Sequence, residues 1–485
     1  MRMRKDRNRF LKDFKLQRNL IQTPTSDKED LKLAEESILQ QFINNFNNSS
    51  DLSVTEFPHL TVKIYYFSYL INKDHYEQFL SKLRNITLEE LQSYLNHSEF
   101  KVLSDMNSVE EAILSGSAIF FTEKLAYELP FKEGKGRSIS PSETETVILG
   151  AHDAFVESVD VNLSLIRKRV MSSQLKTIKL HVGNKSKRAV YLLYIEGVAS
   201  DKDLEEIKKR ILSIHNDGIV DTNMLVQFID EHPNSPFPQF YTTERPDVAA
   251  YKLFDGKIIG LMDNSPFAFC TPVSFFDFME SMDDFGQRWI VGTFIKVTRY
   301  IAILVTLLFT ALYVGVTTYH YEMIPQALLP TLLESRSKVP FPPVIEALFL
   351  EFLLELLREA GARLPTKVGQ TIGIVGGIVI GQAAVQAGIT SNILIIVVAA
   401  SAIASFVVPS YLLSASIRIV RFGFIIISGF WGNLGIIFGM GILIIHLSSL
   451  TNLNSPYLLP ISPMYSKFFK YSLIRGPFKK KAERG

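Results

Sequence analysis

The chain has 485 residues, with 51 Lys and Arg against 49 Asp and Glu and a single cysteine, Cys270; this sets a prior of about three domains, argues against a nucleic-acid binder, and excludes an intrachain disulfide or a cysteine-built zinc cage. The balanced total hides a partition, because residues 1–299 carry 79 of the 100 charges, residues 300–450 carry 13, and the last 35 carry eight, seven of them basic. Val368 to Ile417 and Phe422 to Ser466 hold no charged residue, and each outruns the roughly 20 apolar residues that cross a bilayer, so a wholly soluble protein is excluded.

Residues 1–28 read as a basic disordered tail, because eight of the first twenty are Lys or Arg and no apolar run of signal-peptide length follows. It suits anionic lipid headgroups or plain solvation equally. Residues 29–135 form a first subdomain. Leu31, Ala34, Ile38, Leu39 and Phe42 recur at helical spacing, VKIYYFSYL (62–70) is a β-branched and aromatic strand, 76–95 is helical, and SAIFFTEKLAYEL (117–129) alternates like a hairpin arm. The turn-rich stretch GKGRSISPSETE (134–145) marks a boundary.

Residues 136–290 form a second subdomain, with helix within Thr146 to Val170, strands at 175–183 and 188–198, an amphipathic helix at 201–214, helix at 223–230 and a strand at 257–263. The fold class is therefore a membrane protein with an N-terminal α/β or α+β domain of two subdomains, placed in the cytoplasm, before an α-helical transmembrane domain. No P-loop, dinucleotide fingerprint or HExxH occurs, so neither an enzyme nor a cofactor or metal site is expected. His152 beside Asp153 reads as two surface groups rather than an acid/base pair. Ser235-Pro236 and Ser265-Pro266 read as turns.

The membrane domain spans 291–450. A first crossing is expected over Tyr300 to Tyr319, preceded by Arg288, Lys296 and Arg299, which put the N-terminal domain in the cytoplasm. Phe341 to Ala360 is apolar but contains Glu346, Glu351, Glu355 and Glu359, the last three within about 80° of helical arc. An acidic stripe in hydrocarbon must face a partner or water, and it is the candidate ion path or pore mouth, together with Gln370. Arg336, Arg358 and Arg363 are its alternative, ion-pair partners. Val368 to Gln386 carries Gly369, Gly373, Gly377 and Gly381 at four-residue spacing, a glycine zipper for close helix packing; Gln382 and Gln386 lie off that stripe. Asn392 to Leu413, with Pro409, and Phe422 to His446, with Gly429, Gly432, Gly435 and Gly439, complete the spans. Residues 451–485 read as a basic cytoplasmic tail. Counting 341–360 as an amphipathic or re-entrant helix gives four crossings and keeps both termini on one side, but it strands Arg418 and Arg421 on the other.

Several blocks resemble the A subunit of GerA-type spore germinant receptors. They are ETETVILGAHDAFVESVDVNLSLIRKRV (143–170), ERPDVAAYKLFDGKI (244–258), KVPFPPVIEALFLEFLLELLREAGARLP (338–365) and the stretch from Thr366 to Ser410. Together the similar region covers roughly 140–450. Ala151-His152 stands where Gly-Pro is expected, and Asp263-Asn264-Ser265-Pro266 where Asp-Gly-Thr-Pro is expected; both lie in soluble loops. The resemblance implies a receptor subunit in the endospore inner membrane that works with a transporter-like B subunit and a lipoprotein C subunit. It further implies that the A subunits oligomerise, as a pentamer, into a germinant-gated channel for monovalent cations. Residues Glu346, Glu351, Glu355 and Glu359 fall in the family's acidic-helix block, and Arg363, Pro365, Gly369 and Gln370 in the block after it.

Two other readings are open. A membrane-anchored scaffold fits the lack of catalytic groups as well as a channel does. A secondary transporter fits less well, since no inverted repeat or pair of broken helices is found. Coupling of the cytoplasmic domain to the pore is expected through Met282 to Arg299.

Overall fold

The computed structural model describes residues 38–84, 86–87, 90–91, 95, 100–122, 125–131, 142, 145, 148–363 and 381–462. The chain divides into two units, residues 1–47 with 52–133, and residues 48–51 with 134–485.

The first unit is a five-stranded antiparallel sheet with helices α1 (Ile38–Asn45), α2 (Lys73–Leu83) and α3 (Met106–Leu114). Strands β1 (Leu52–Phe57), β2 (Val62–Phe67), β3 (Lys101–Leu103), β4 (Ala118–Phe121) and β5 (Ala126–Leu129) run in the order β1-β2-β4-β5-β3. The stretch 117–129 is indeed a hairpin, with Phe120 opposite Tyr127. Period-2 alternation puts Ile64, Phe120 and Leu129 into a core closed by Phe79, Leu80 and Leu83 of α2. Asn72 and Asp105 cap α2 and α3 by accepting the amides of His75 and Ser108.

The second unit opens with α4 (Val159–Arg169) and a second antiparallel sheet. Its strands β6 (Leu175–Val182), β7 (Arg188–Ile195), β8 (Tyr241–Thr243), β9 (Ile258–Met262) and β10 (Ala268–Thr271) run in the order β6-β7-β9-β10-β8. Every pair is antiparallel, so the domain is α+β rather than α/β. Helices α5 (Asp201–Leu212) and α6 (Thr222–Ile229) cover one face with Leu204, Ile207, Ile211 and Leu225. Helix α7 (Pro246–Phe254) packs with α4 against β9. Coverage on both sides explains why β9 reads as an unbroken apolar run, IIGLM, with all five residues buried.

A helical bundle follows, made of α8 (Trp289–Tyr319), α9 (Leu329–Arg336), α10 (Pro343–Arg363), α11 (Asn392–Ser405) and α12 (Tyr411–Ser449), with residues 381–386 also helical. Helices α8 and α12 are long and apolar enough to cross a membrane. The first is longer than the sequence suggests, because it begins at Trp289 rather than Tyr300. The segment expected over 392–413 stops at Ser405, since Pro409 cannot continue a helix and Ser410 caps the next one by accepting the Leu413 amide. At 14 residues, α11 is about 21 Å long.

The segment expected as one span over 422–446 is instead two antiparallel legs. Gly432 has φ 58° and ψ −143°, a conformation essentially closed to other residues. Beyond it the chain returns along itself. A Cβ on Gly435 would lie 2.6 Å from the carbonyl oxygen of Ile427, and one on Gly439 would lie 3.0 Å from the Phe424 ring. Glycine at these sites thus lets the legs approach backbone to backbone.

The second leg brings residues 450–462 back to the α+β domain, so they are not tail. Leu453 joins its core, buried Tyr457 donates to the Pro238 carbonyl at 2.8 Å, and Thr271 donates to Asn452 at 2.8 Å. Of the glycine zipper, Gly369, Gly373 and Gly377 lie outside the described residues, as does Gln370. Only Gly381 is described, and its Cβ position lies 3.9 Å from Ile395.

Candidate functional site

Helix α8 is a ruler for the bundle. At its near end, Arg299 pairs with Asp284 at 2.5 Å and donates to the Met279 carbonyl, while Lys296 pairs with Glu280 at 3.4 Å. Glu280 also pairs with Lys252 of α7, which in turn holds Asp277 at 2.5 Å. Burial opposes the Lys252 charge, yet Asp277 and Glu280 hold its pKa well above the ordinary value. Burial likewise opposes the Asp277 charge, and the adjacent Lys252 nonetheless holds its carboxyl well below the usual range. These pairs run from the α+β domain through the connection expected to couple it to the bundle.

Further along α8, Thr306 accepts Ser401 at its carbonyl, Thr310 donates to Glu351 at 2.8 Å, and Tyr313 meets Ser391 at 3.0 Å. At the far end, Tyr319 donates to the Gly429 carbonyl beside the Gly432 turn. At 1.5 Å per residue, Thr310 lies about 16 Å past Arg299 and about 13 Å before Tyr319. Glu351 therefore sits near mid-bundle.

The four glutamates form a ladder along α10, each with an arginine. Glu346, buried at the far end, pairs with Arg336 at 3.3 Å and accepts the Ser391 amide. Glu351 and Arg421 are both 0% exposed and 2.6 Å apart. Glu355, 27% exposed, receives Arg358 at 2.8 Å, Arg418 at 3.2 Å and Arg421 at 3.4 Å. Glu359, 59% exposed, pairs with Arg363 at 2.5 Å. Hydroxyls complete the shell, as Arg421 donates to Ser401, Arg358 to Ser405, and Arg418 to Ser414.

Arg336, Arg358 and Arg363 are thus partners of the stripe, as the ion-pair alternative has it. The structure adds Arg418 and Arg421, which the four-crossing count had placed on the opposite side. Their charges carry no sequence-local clue, since 63 to 70 residues separate them from the carboxylates they meet.

The near ends of both α12 legs are held by one loop of the α+β domain. Ser416 donates to the Pro236 carbonyl, and Ser235 meets His446 at 2.9 Å. Ser235 is therefore a contact residue as well as a turn residue. Ser265 accepts the Thr222 amide, and Asp153 forms an ion pair with Arg169 at 2.5 Å. Cys270 is buried, which pushes its thiol up to about 12. Among the described residues no group of three or more His, Cys, Asp or Glu could hold a metal ion.

A family model described as Bacillus/Clostridium GerA spore germination protein matches residues 40–485. Spore germination protein GerQA of Bacillus cereus is 42% identical over 457 residues, covering 92% of each chain. Spore germination protein A1 of Bacillus subtilis (strain 168) is 38% identical over 422 residues, covering 86% of this chain and 88% of that one. The crystal structure of the N-terminal domain of the A subunit of the Bacillus megaterium spore germinant receptor GerK3 aligns with TM-score 0.37 and 22% identity, over 49% of this chain and 94% of that one.

Proposed function

The chain belongs to the GerA spore germination protein family, and from that premise we propose that it is the A subunit of a nutrient germinant receptor and the ligand-gated monovalent-cation channel of that complex. The reading places it in the inner membrane of the endospore with its N-terminal domain cytoplasmic. Its partners are a transporter-like B subunit, a lipoprotein C subunit and further copies of itself, possessing pentameric symmetry.

The observation that carries the channel reading is the ladder of carboxylates inside an apolar bundle, with Glu351 at mid-depth and wholly buried. Ionisable groups at that depth in a membrane are costly and mark ion pathways. The arginine partners give the ladder a closed state. While Arg421 holds Glu351 and three guanidiniums hold Glu355, neither carboxylate is free to attract a cation. Opening then requires α10 and α12 to separate, and the near ends of α12 are gripped by the same α+β domain that grips α8. A change in that domain is thereby conveyed to both helices.

The outer surface supports membrane burial. Phe430, Trp431, Leu434, Ile437, Phe438, Ile442 and Ile445 are exposed along the second leg of α12 and the turn before it, a run of apolar surface that lipid would cover. The start of α8 and the end of α12 both meet the α+β domain and so lie at the same end of the bundle.

The test is potassium efflux from liposomes holding this subunit with its B and C partners. Nutrient-triggered efflux is expected, and Glu351→Gln with Glu355→Gln should lower selectivity for cations over anions. An assembled, nutrient-binding complex without efflux would refute the channel and leave a membrane-anchored scaffold.

A further inference from the structure

We infer that the near end of the bundle holds a binding site for the phosphate of an anionic phospholipid headgroup, formed by Arg358 and Arg418 between the exposed rings of Phe406 and Tyr411. The inference rests on reading the bundle as membrane-embedded. It begins with a charge count. Glu346 and Glu359 each have an arginine of their own, but Arg358, Arg418 and Arg421 converge on only two carboxylates, Glu351 and Glu355. Among the described residues one positive charge is left over in a region where all three guanidiniums are largely buried, and a buried charge without a counter-charge is expensive.

The surplus lies on the Arg358 and Arg418 side. Arg421 is enclosed against Glu351, whereas Glu355 is 27% exposed and marks the opening. The Nε of Arg358 is buried and has no hydrogen-bond partner. Arg418 uses Nε on Glu355 and Nη1 on Ser414, which leaves Nη2 for a further acceptor. Two guanidiniums with spare donors suit a phosphate, whose oxygens accept paired N–H bonds. The first amides of the long helix α12 start at Tyr411 in the same corner, and a helix N-terminus also favours an anion.

The surroundings select the lipid over a free ion. Arg358 lies 5.0 Å from the Phe406 ring centroid and Arg418 lies 5.9 Å from that of Tyr411. Those rings are 73% and 64% exposed, beside exposed Leu412. An exposed tyrosine at the end of an apolar bundle belongs at the headgroup level of a bilayer, with its hydroxyl toward water and its ring toward the acyl chains. An acyl chain could follow the apolar surface while its phosphate reaches the arginines.

The experiment uses the full-length protein reconstituted in phosphatidylcholine vesicles containing phosphatidylglycerol, floated on a density gradient, extracted in mild detergent, and weighed by native mass spectrometry. The wild type should retain phosphatidylglycerol in preference to phosphatidylcholine. Arg418→Gln and Arg358→Gln should each lower that retention about tenfold, and Arg363→Gln, at the exposed pair, should not. Glu355→Gln removes the competing carboxylate and should raise retention, an outcome that misfolding does not mimic and that decides the matter if an arginine variant cannot be extracted. Equal retention in wild type, Arg418→Gln and Glu355→Gln, with all three floating, would overturn the site and leave the membrane reading intact. Failure of the wild type to float would overturn both. Displacement of the lipid by millimolar inorganic phosphate would assign the arginines to a free anion and overturn the lipid.

Discussion

The pair Glu351–Arg421 allows a quantitative test of how the bundle is held. Both side chains are fully buried, with a nitrogen-to-oxygen distance of 2.6 Å. Two unit charges about 4 Å apart at an effective dielectric near 20 attract by about 4 kcal/mol. Desolvation of both groups consumes much of that, so replacing the pair with apolar residues of similar volume should be close to neutral. Removing one partner is different. Arg421→Met leaves Glu351 with the Thr310 hydroxyl and no cation of its own, and Glu351→Leu leaves Arg421 with only a shared hold on Glu355 at 3.4 Å. Each single change should cost about 3–5 kcal/mol, while the double variant should cost far less than their sum. The assay is a double-mutant cycle on the detergent-solubilised full-length protein, unfolded by SDS titration and followed by far-ultraviolet circular dichroism. A coupling of at least about 2 kcal/mol is expected. Additivity within about 0.5 kcal/mol, the value for sites that do not interact, would refute the argument that this pair ties α10 to α12.

Three further outcomes follow from particular residues. Gly432→Ala must adopt φ 58° and place a Cβ 2.9 Å from His320 Nε2, so it should cost about 1–3 kcal/mol, read as a lowered SDS midpoint; no change would mean that the turn is not formed. Because Cys270 is buried, a single cysteine at Trp431 should react with an impermeant maleimide from one side of sealed vesicles and one at Ser449 from the other; labelling of both from one side would refute the two-legged α12. Burial pushes Glu145 up to about 7, despite the Thr243 hydroxyl it accepts. A carboxyl raised in the folded state favours folding below its unfolded value near 4.5, and that contribution is lost as pH rises through 7. Glu145→Gln should therefore raise stability at pH 8 relative to pH 5, by up to about 3 kcal/mol, and an equal effect at both pH values in thermal unfolding would refute the assignment.

The α+β fold was legible where periodicity is strong. The strands at 62–67, 175–182, 188–195 and 258–262 and the helix at 201–212 lie within stretches whose pattern specifies them, and the helix expected at 223–230 runs one residue earlier, over 222–229. The short strands β3, β8 and β10, of three or four residues, carry too few positions to show a period. The helix at 246–254 is buried on nearly all sides, so its composition lacks a polar face. Residues 450–462 were illegible for another reason. What orders them is Leu453, Asn452 and Tyr457 meeting partners more than 180 residues away, a relation that no local pattern contains.

The arginines show the same limit with a larger consequence. The sequence marks the acidic stripe on α10 and the cations flanking it, because these share one helix. Arg418 and Arg421 look like loop charges when 422–446 is read as one crossing, and they then conflict with the basic C-terminal residues over which side is positive. One glycine removes the conflict. With the chain reversed at Gly432, Arg418 and Arg421 fall on the leg that starts at the near end, within reach of Glu355 and Glu351, and the chain still returns to the α+β domain. A cation inside an apolar stretch is therefore weak evidence for a loop when a carboxylate-bearing helix is available to receive it, since pairing can hold the charge at depth. The same geometry makes Gly432 and the glutamate ladder interdependent, because loss of the reversal would withdraw from Glu351 the guanidinium that pairs with it.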